Sequence, residues 1–493
     1  MAIWIVLVTV GVVFGFVALA YAYWGLLASL YPDRIHATEV YTIRTDDLWR
    51  LRICRYRHER TQGPPVLLVH GGLVNQHNLT SPEGGCMADY LAERGFDCWA
   101  IDLRGTRSSI PPFEHHHQEA KMDDYLLHDL PTAIDFIRQK TQFSKVHAIG
   151  HSMGGMLLYA YALAFGGDKL MSITTLGAPV GFDSVAPPSQ LLVSIARYMP
   201  GVMTNLVRGS IPISILLRTS LPNMPVNMRN LHPAMDGGCF YRMTEEPLQH
   251  VIGEISHMIR SRTMRMNEDT LDVKAGLAEL DVPLFAIFGA KDPLVPLTHG
   301  LASFEAIAMK DKRAMVLGKE QGYAVDYSHG DLAYGATGAR DVFQPIANWL
   351  EDHPITEMVA AGEYIGDEDD VYVTPLRQRE RSGLLSGSTY DGDKKARTKT
   401  KYPVTVEIEE KTGTVKQRAA KKKPVTKKKA TTRKKAVAKK KVVAKKKTVA
   451  KKKAVVKKKK AVPKKGKAKL PPSTRSAILG ASKELKRLDK KKK

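Results

Sequence analysis

The chain opens on a long apolar run. No charged side chain occurs from Ile3 to Leu30, and about 20 apolar residues are enough for a helix to cross a bilayer. Trp4 stands near one end and Tyr21, Tyr23 and Trp24 near the other, as interfacial aromatics do. The pattern predicts a transmembrane anchor over residues 1–30. A buried globular helix and a cleaved signal peptide are the alternatives, the latter with Ala18 and Ala20 resembling a cleavage site. Against cleavage, no Lys or Arg precedes the run, which is longer than a signal core. Arg34, Arg44, Arg50, Arg52, Arg55, Arg57 and Arg60 come after the span. The positive-inside tendency then predicts a single-pass protein whose next domain lies in the cytoplasm.

A different pattern fills residues 36–355. Pro65–His70, Phe96–Asp102, Lys145–Gly150, Met171–Leu176 and Pro283–Phe288 are short, nearly continuous apolar runs. Residues 123–140, 156–165 and 339–350 have helical spacing. Strands apolar on both faces, alternating with helices, predict an α/β domain with a mostly parallel sheet covered on both sides. The alternation breaks between Phe182 and Thr270, a segment rich in Pro and Leu that holds nine of the 18 Met residues. It reads as a cap, about residues 182–270. Its methionines read individually as gap-filling core, and collectively as a candidate lining for a pliable apolar pocket.

Charge sets the C-terminal residues apart. The formal net charge is +25, yet residues 401–493 alone carry 38 Lys and Arg against 5 Asp and Glu. The body is therefore mildly acidic. Residues 356–400 are polar, include Asp367–Asp370, and read as a linker. After Lys421 a six-residue unit repeats as KKKPVT, KKKATT, RKKAVA, KKKVVA, KKKTVA and KKKAVV. Six residues turn a helix through about 600°, so the lysines keep to no single face, and their repulsion predicts a disordered tail. Cys54, Cys86, Cys98 and Cys239 show no C-x-x-C spacing, which leaves no zinc or redox motif. So few in so long a chain fit reduced thiols at least as well as two disulfides.

The candidate chemistry centres on Gly150-His151-Ser152-Met153-Gly154. G-x-S-x-G is a nucleophile elbow when it joins a buried strand to a helix, and the flanking runs Lys145–Gly150 and Met156–Phe165 read as such a strand and helix. A serine nucleophile needs a base, a group that orients the base, and an oxyanion hole. Asp292 comes just after the Pro283–Phe288 strand, and His329 lies in a later loop before a helix. The chain order serine, acid, histidine suits this elbow. Asp281 and Asp331 are the alternative acids. His70-Gly71-Gly72 ends the first strong strand, and its glycines let a backbone N–H reach a developing oxyanion. Gly72 and Met153 are the expected donors, with Leu73 the alternative to Gly72. His151 is expected to turn away from Ser152, and Asp102 and Arg104 to brace the neighbouring loop. The His115–His117 run reads as solvated rather than metal-binding. No cofactor or metal is predicted.

These four elements in order resemble the α/β-hydrolase superfamily, over roughly residues 65–350. Gly95–Gly105 and Tyr125–Pro131 are similar to acid lipases and to polyhydroxyalkanoate synthases. The resemblance implies the α/β-hydrolase fold and a serine esterase or lipase. The synthases carry cysteine at the position of Ser152 and haloalkane dehalogenases carry aspartate, so hydrolysis of an acyl ester is favoured. Acyl transfer and cofactor-free haloperoxidase chemistry run on the same triad type. The tail resembles the lysine-rich tails of linker histones.

The sequence supports two readings of function. In the first, the chain is a membrane-anchored hydrolase of lipophilic acyl esters acting through an acyl-enzyme. In the second, it is a membrane tether whose tail holds DNA, anionic lipid or another polyanion, with hydrolysis secondary or absent. Lysines carry no base readout, so any DNA binding is expected to be non-specific and steeply salt-dependent.

Overall fold

The computed structural model describes residues 2–58, 63–81, 85–180, 190–217, 225–360 and 371–373. Residues 182–189 of the expected cap, most of the expected linker and the whole tail lie outside the described residues.

Among the described residues nine strands form the main sheet: β1 (Glu39–Arg44), β2 (Arg50–Tyr56), β3 (Pro65–Val69), β4 (Asp97–Ile101), β5 (Val146–His151), β6 (Leu170–Leu176), β7 (Leu284–Gly289), β8 (Lys312–Leu317) and β9 (Val371–Val373). Their spatial order is β8-β7-β6-β5-β3-β4-β2-β1-β9. The six strands from β8 to β4 are parallel. From β4 outwards, β2, β1 and β9 are added antiparallel. The strand β9 falls inside the stretch that the sequence reads as linker.

The longer helices among the described residues are α1 (Ala2–Leu30), α2 (Met87–Glu93), α3 (Leu130–Thr141), α4 (Met153–Phe165), α5 (Gln190–Tyr198), α6 (Pro200–Leu217), α7 (Gly237–Met243), α8 (Gln249–Ser261), α9 (Leu297–Ala306) and α10 (Gln344–Glu351). Successive residues of a strand point to opposite faces, and β3 shows what this does. Leu67 and Val69 join a core with Ala133, Ile134 and Ile137 of α3 and Leu157 of α4. Val66 and Leu68 join a second core with Met87 and Leu91 of α2 and Ile346 and Trp349 of α10. Every residue of β3 is buried, which is why the strand reads as a continuous apolar run rather than an alternating one.

The cap is built from α5 to α8. Met228, Met235, Met243, Met258, Met264 and Met266 are all buried in the two cores, so they fill gaps between cap and sheet.

Among the described residues no helix is long and apolar enough to cross a membrane. The transmembrane helix expected over residues 1–30 is therefore not carried by them. The segment is helical, but its end belongs to the folded body. Leu27 is buried, the Tyr23 hydroxyl donates to the Gly209 carbonyl of α6 at 3.1 Å, and the Tyr31 ring lies 5.7 Å from that of Tyr241 in α7. Most side chains before Ala18 lie outside the described residues.

Candidate active site

The strand β5 runs straight into α4 through Ser152, whose φ of 53° and ψ of −118° lie where only glycine is comfortable. The turn survives because Gly150 and Gly154, two residues to either side, have no side chains. A Cβ on Gly150 would lie 2.5 Å from the Gly155 nitrogen, and one on Gly154 only 2.4 Å from the Val69 carbonyl oxygen. The Ser152 N–H donates to the Leu176 carbonyl at 2.9 Å, fixing the elbow to β6. Its side chain is only partly buried.

The loops after β7 and β8 bring Asp292 and His329 together. His329 Nδ1 lies 2.7 Å from Asp292 Oδ2, and both residues are buried. Asp292 Oδ1 accepts from the N–H groups of Leu294 and Val295 at 2.8 and 2.9 Å. A carboxylate accepts, so the imidazole proton sits on Nδ1 and the lone pair on Nε2. That is the tautomer a general base requires. Both groups lie close to Gly177, where a Cβ would meet Asp292 Oδ2 and His329 Nδ1 at 3.1 Å each. No hydrogen bond joins the Ser152 hydroxyl to His329 among the described residues; such contacts tighten when substrate binds.

The alternative acids have other positions. Asp281 is exposed, just before β7 and at the end of the strand away from His329. Asp331 is buried and accepts from Ser328 N and Asn227 N, each at 3.0 Å, and from Asn230 Nδ2 at 3.1 Å. It ties the histidine loop to the cap.

On the other side of Ser152, a Cβ on Gly71 would lie 3.3 Å from Ser152 Cβ, and one on Gly72 would lie 3.7 Å from Met153 Sδ. The Met153 N–H is the first of α4 and has no partner within the helix. The Gly72 N–H donates to no backbone carbonyl among the described residues. His70 holds this loop. Its Nδ1–H donates to the Gly71 carbonyl at 2.7 Å, and its Nε2 accepts from the Leu103 N–H at 3.2 Å. Burial keeps the His70 pKa below its usual range, so the ring stays neutral and the two roles remain distinct. Leu73 comes next, with a φ of 62°.

His151 faces away from the Ser152 hydroxyl. Its Nδ1 lies 2.8 Å from Asn78 Oδ1 and its Nε2 3.2 Å from the His329 carbonyl oxygen. Burial, with the nearby His329 ring, lowers its pKa to about 3. Asp102 accepts from Arg52 Nε at 2.6 Å, Ser108 Oγ at 2.7 Å and Gln76 N at 2.9 Å. Arg104 bonds Asp129 at 2.7 Å and Asp47 at 2.6 Å. Both brace the loops beside the site. His115 pairs with Glu119 at 2.6 Å, and His117 packs edge-on against Trp49.

A cavity of about 40 Å³ opens beside Gly72 and Met153, walled on the cap side by Leu248, Val251, Ile252 and Ile255. Of the methionines, Met153 borders it, whereas the buried cap methionines do not. The cap residues of this wall carry no signal in the sequence; among them is Glu245, a buried carboxylate at its start.

Residues 64–320 match the family model of the alpha/beta hydrolase fold. The chain is 31% identical to gastric triacylglycerol lipase of Mus musculus over 144 residues, 27% of this chain and 34% of that protein. It is 29% identical to human lipase member K over 199 residues, 37% of this chain and 47% of the relative. It thus spans about a third to a half of the length of these relatives. Among solved structures, an esterase from Thermogutta terrifontis is similar at a TM-score of 0.44 and 20% identity, covering 65% of this chain and 99% of the esterase. The elbow, the strand order and the match over residues 64–320 make this chain a member of the α/β-hydrolase fold family.

Proposed function

We propose that the chain is a serine hydrolase that cleaves lipophilic acyl esters through Ser152, His329 and Asp292. The observation that carries this reading is the buried His329–Asp292 pair, with the imidazole proton on Nδ1, on the same sheet edge as the strained elbow serine. His329 Nε2 takes the Ser152 proton as Oγ attacks the acyl carbonyl. The N–H groups of Gly72 and Met153 stabilise the oxyanion. Asp292 favours the imidazolium that forms, and the same proton then goes to the leaving alcohol. Water, activated by His329, releases the acyl-enzyme. The apolar cavity beside the two donors suits the acyl chain, and the lipase names of the relatives support an ester of a fatty acid.

Attachment to a bilayer through the charge-free run Ile3–Leu30 belongs to the same proposal; the alternative reading is a membrane tether whose lysine-rich tail captures a polyanion, DNA before anionic lipid, with hydrolysis secondary or absent. A panel of p-nitrophenyl esters from acetate to palmitate, offered to the wild type and to Ser152→Ala, tests the central reading. Turnover by the wild type that Ser152→Ala loses supports it. Hydrolysis of no ester in the panel overturns it, and transfer of the acyl group to an added alcohol in preference to water would mark an acyltransferase.

A further inference from the structure

The oxyanion loop is fastened to the cap as well as to the segment after β4, where the Leu103 N–H donates to His70 Nε2 and the Gln76 N–H to Asp102. The Asn75 N–H donates to the Met243 carbonyl at 3.1 Å, and the Glu245 N–H donates to the Leu73 carbonyl at 2.8 Å. Val74 and Thr244 form an antiparallel bridge between them. Leu73, with its φ of 62°, sits inside this clamp. A leucine in the left-handed region persists only where the surroundings over-determine it.

The Glu245 carboxylate is the hub of that clamp. Its Oε1 accepts from Asn75 Nδ2 at 2.6 Å and from Arg107 Nε at 3.1 Å, and its Oε2 accepts from the Arg107 N–H at 3.1 Å. Asn75 Nδ2 also donates to the Arg242 carbonyl at 2.8 Å, and Arg107 Nη2 donates to the same carbonyl. One buried carboxylate thus joins the oxyanion loop, the loop after β4 and the cap. Burying a charge is costly unless it is hydrogen-bonded and paired, and here both conditions are met. Three residues further on, Leu248 borders the cavity beside Gly72.

We infer that Glu245 is a positioning residue. By holding Asn75 it fixes Leu73 in its left-handed conformation and so keeps the Gly72 N–H aimed alongside that of Met153. The wall of the acyl cavity and the first oxyanion donor then form one unit. The catalytic consequence rests on the proposed ester hydrolysis; the anchoring of the loop does not.

The test uses the full chain and two variants, Glu245→Gln and Asn75→Ala. Gln keeps the shape but turns one acceptor into a donor facing N–H groups. Amide exchange over residues 72–75 is read together with ester kinetics and inhibition by an arylboronic acid, which forms a tetrahedral adduct on serine. Each variant is expected to exchange at least roughly tenfold faster over 72–75 and to lose about 10- to 100-fold in kcat, with KM within about twofold. Boronate affinity should fall in parallel, and the midpoint of the pH profile should stay in place. The double variant should lose little more than either single one. Unchanged exchange, or an unchanged kcat, overturns the inference, as does a rise in KM alone. A wild type that cleaves no ester removes the hydrolase reading. Exchange then decides the anchoring by itself, faster exchange in Glu245→Gln supporting it and unchanged exchange overturning it.

Discussion

His329 Nδ1 lies 2.7 Å from Asp292 Oδ2, while the other oxygen of that carboxylate is held by two backbone N–H groups. Asp292 cannot swing away without losing both, so it fixes the ring orientation as well as the tautomer. Asp292→Asn should keep the fold and lower kcat by about 10²- to 10⁴-fold, because the amide allows the ring proton to move to Nε2. Steady-state ester kinetics with a thermal melt as control checks this. A loss below about tenfold would remove Asp292 from the orienting role.

The elbow strain yields a stability prediction. Ser152 adopts φ 53°, a conformation that glycine reaches at no steric cost. Both Ser152→Gly and Ser152→Ala should be inactive. Only the glycine variant relieves the backbone, so it should be the more stable by about 1 kcal/mol. Denaturant midpoints of the two variants measure the difference directly.

The cavity wall should set acyl-chain preference. Ile255 borders the cavity from α8. Ile255→Ala enlarges the space and should move the preferred ester to a longer chain. Ile255→Trp should favour the shortest esters, with kcat/KM for longer ones reduced by roughly tenfold or more. The p-nitrophenyl series measures both, and identical chain-length profiles would place the acyl chain elsewhere.

Much of this arrangement is legible in the sequence, for a physical reason. The strands β3 to β7 that lead to the site are buried on both faces, so each writes itself as an apolar run. The elbow glycines are required by backbone contact, so the motif names its own geometry. The antiparallel strands are harder to see. The sequence of β1 is EVYTIR and of β2 RLRICRY, and the arginines suggest a charged flank after a membrane span. In the fold, Arg52 pairs with Asp102 at 2.6 Å and Arg55 with Asp97 at 2.5 Å, so the charges are neutralised by strand β4 and the residue after it. Pairings that distant in sequence leave no local periodicity. Glu245 is invisible in the sequence for the same reason. Its partners Asn75 and Arg107 lie 170 and 138 residues away.

Buried histidines should make the protein acid-labile. Burial lowers His147 and His151 from 6.5 to about 3 and lowers His70 as well. These rings are neutral when folded and bind a proton when unfolded, so the unfolded state gains protons below pH 6.5. Stability is complete above that pH and is lost as the pH falls from 6.5 towards about 3. Each of His147 and His151 should remove about 2 kcal/mol by pH 5. His147→Gln should flatten the fall in unfolding free energy between pH 7 and 5 by about that amount. An unchanged slope would contradict a neutral, buried His147.

The central claim is that Ser152 is the nucleophile. A fluorophosphonate probe combined with peptide mass spectrometry tests it most directly. The account predicts a single phosphonylated peptide carrying the modification on Ser152, abolished in Ser152→Ala and strongly slowed in His329→Ala. Labelling at another serine, or no labelling of folded wild-type protein, would contradict it.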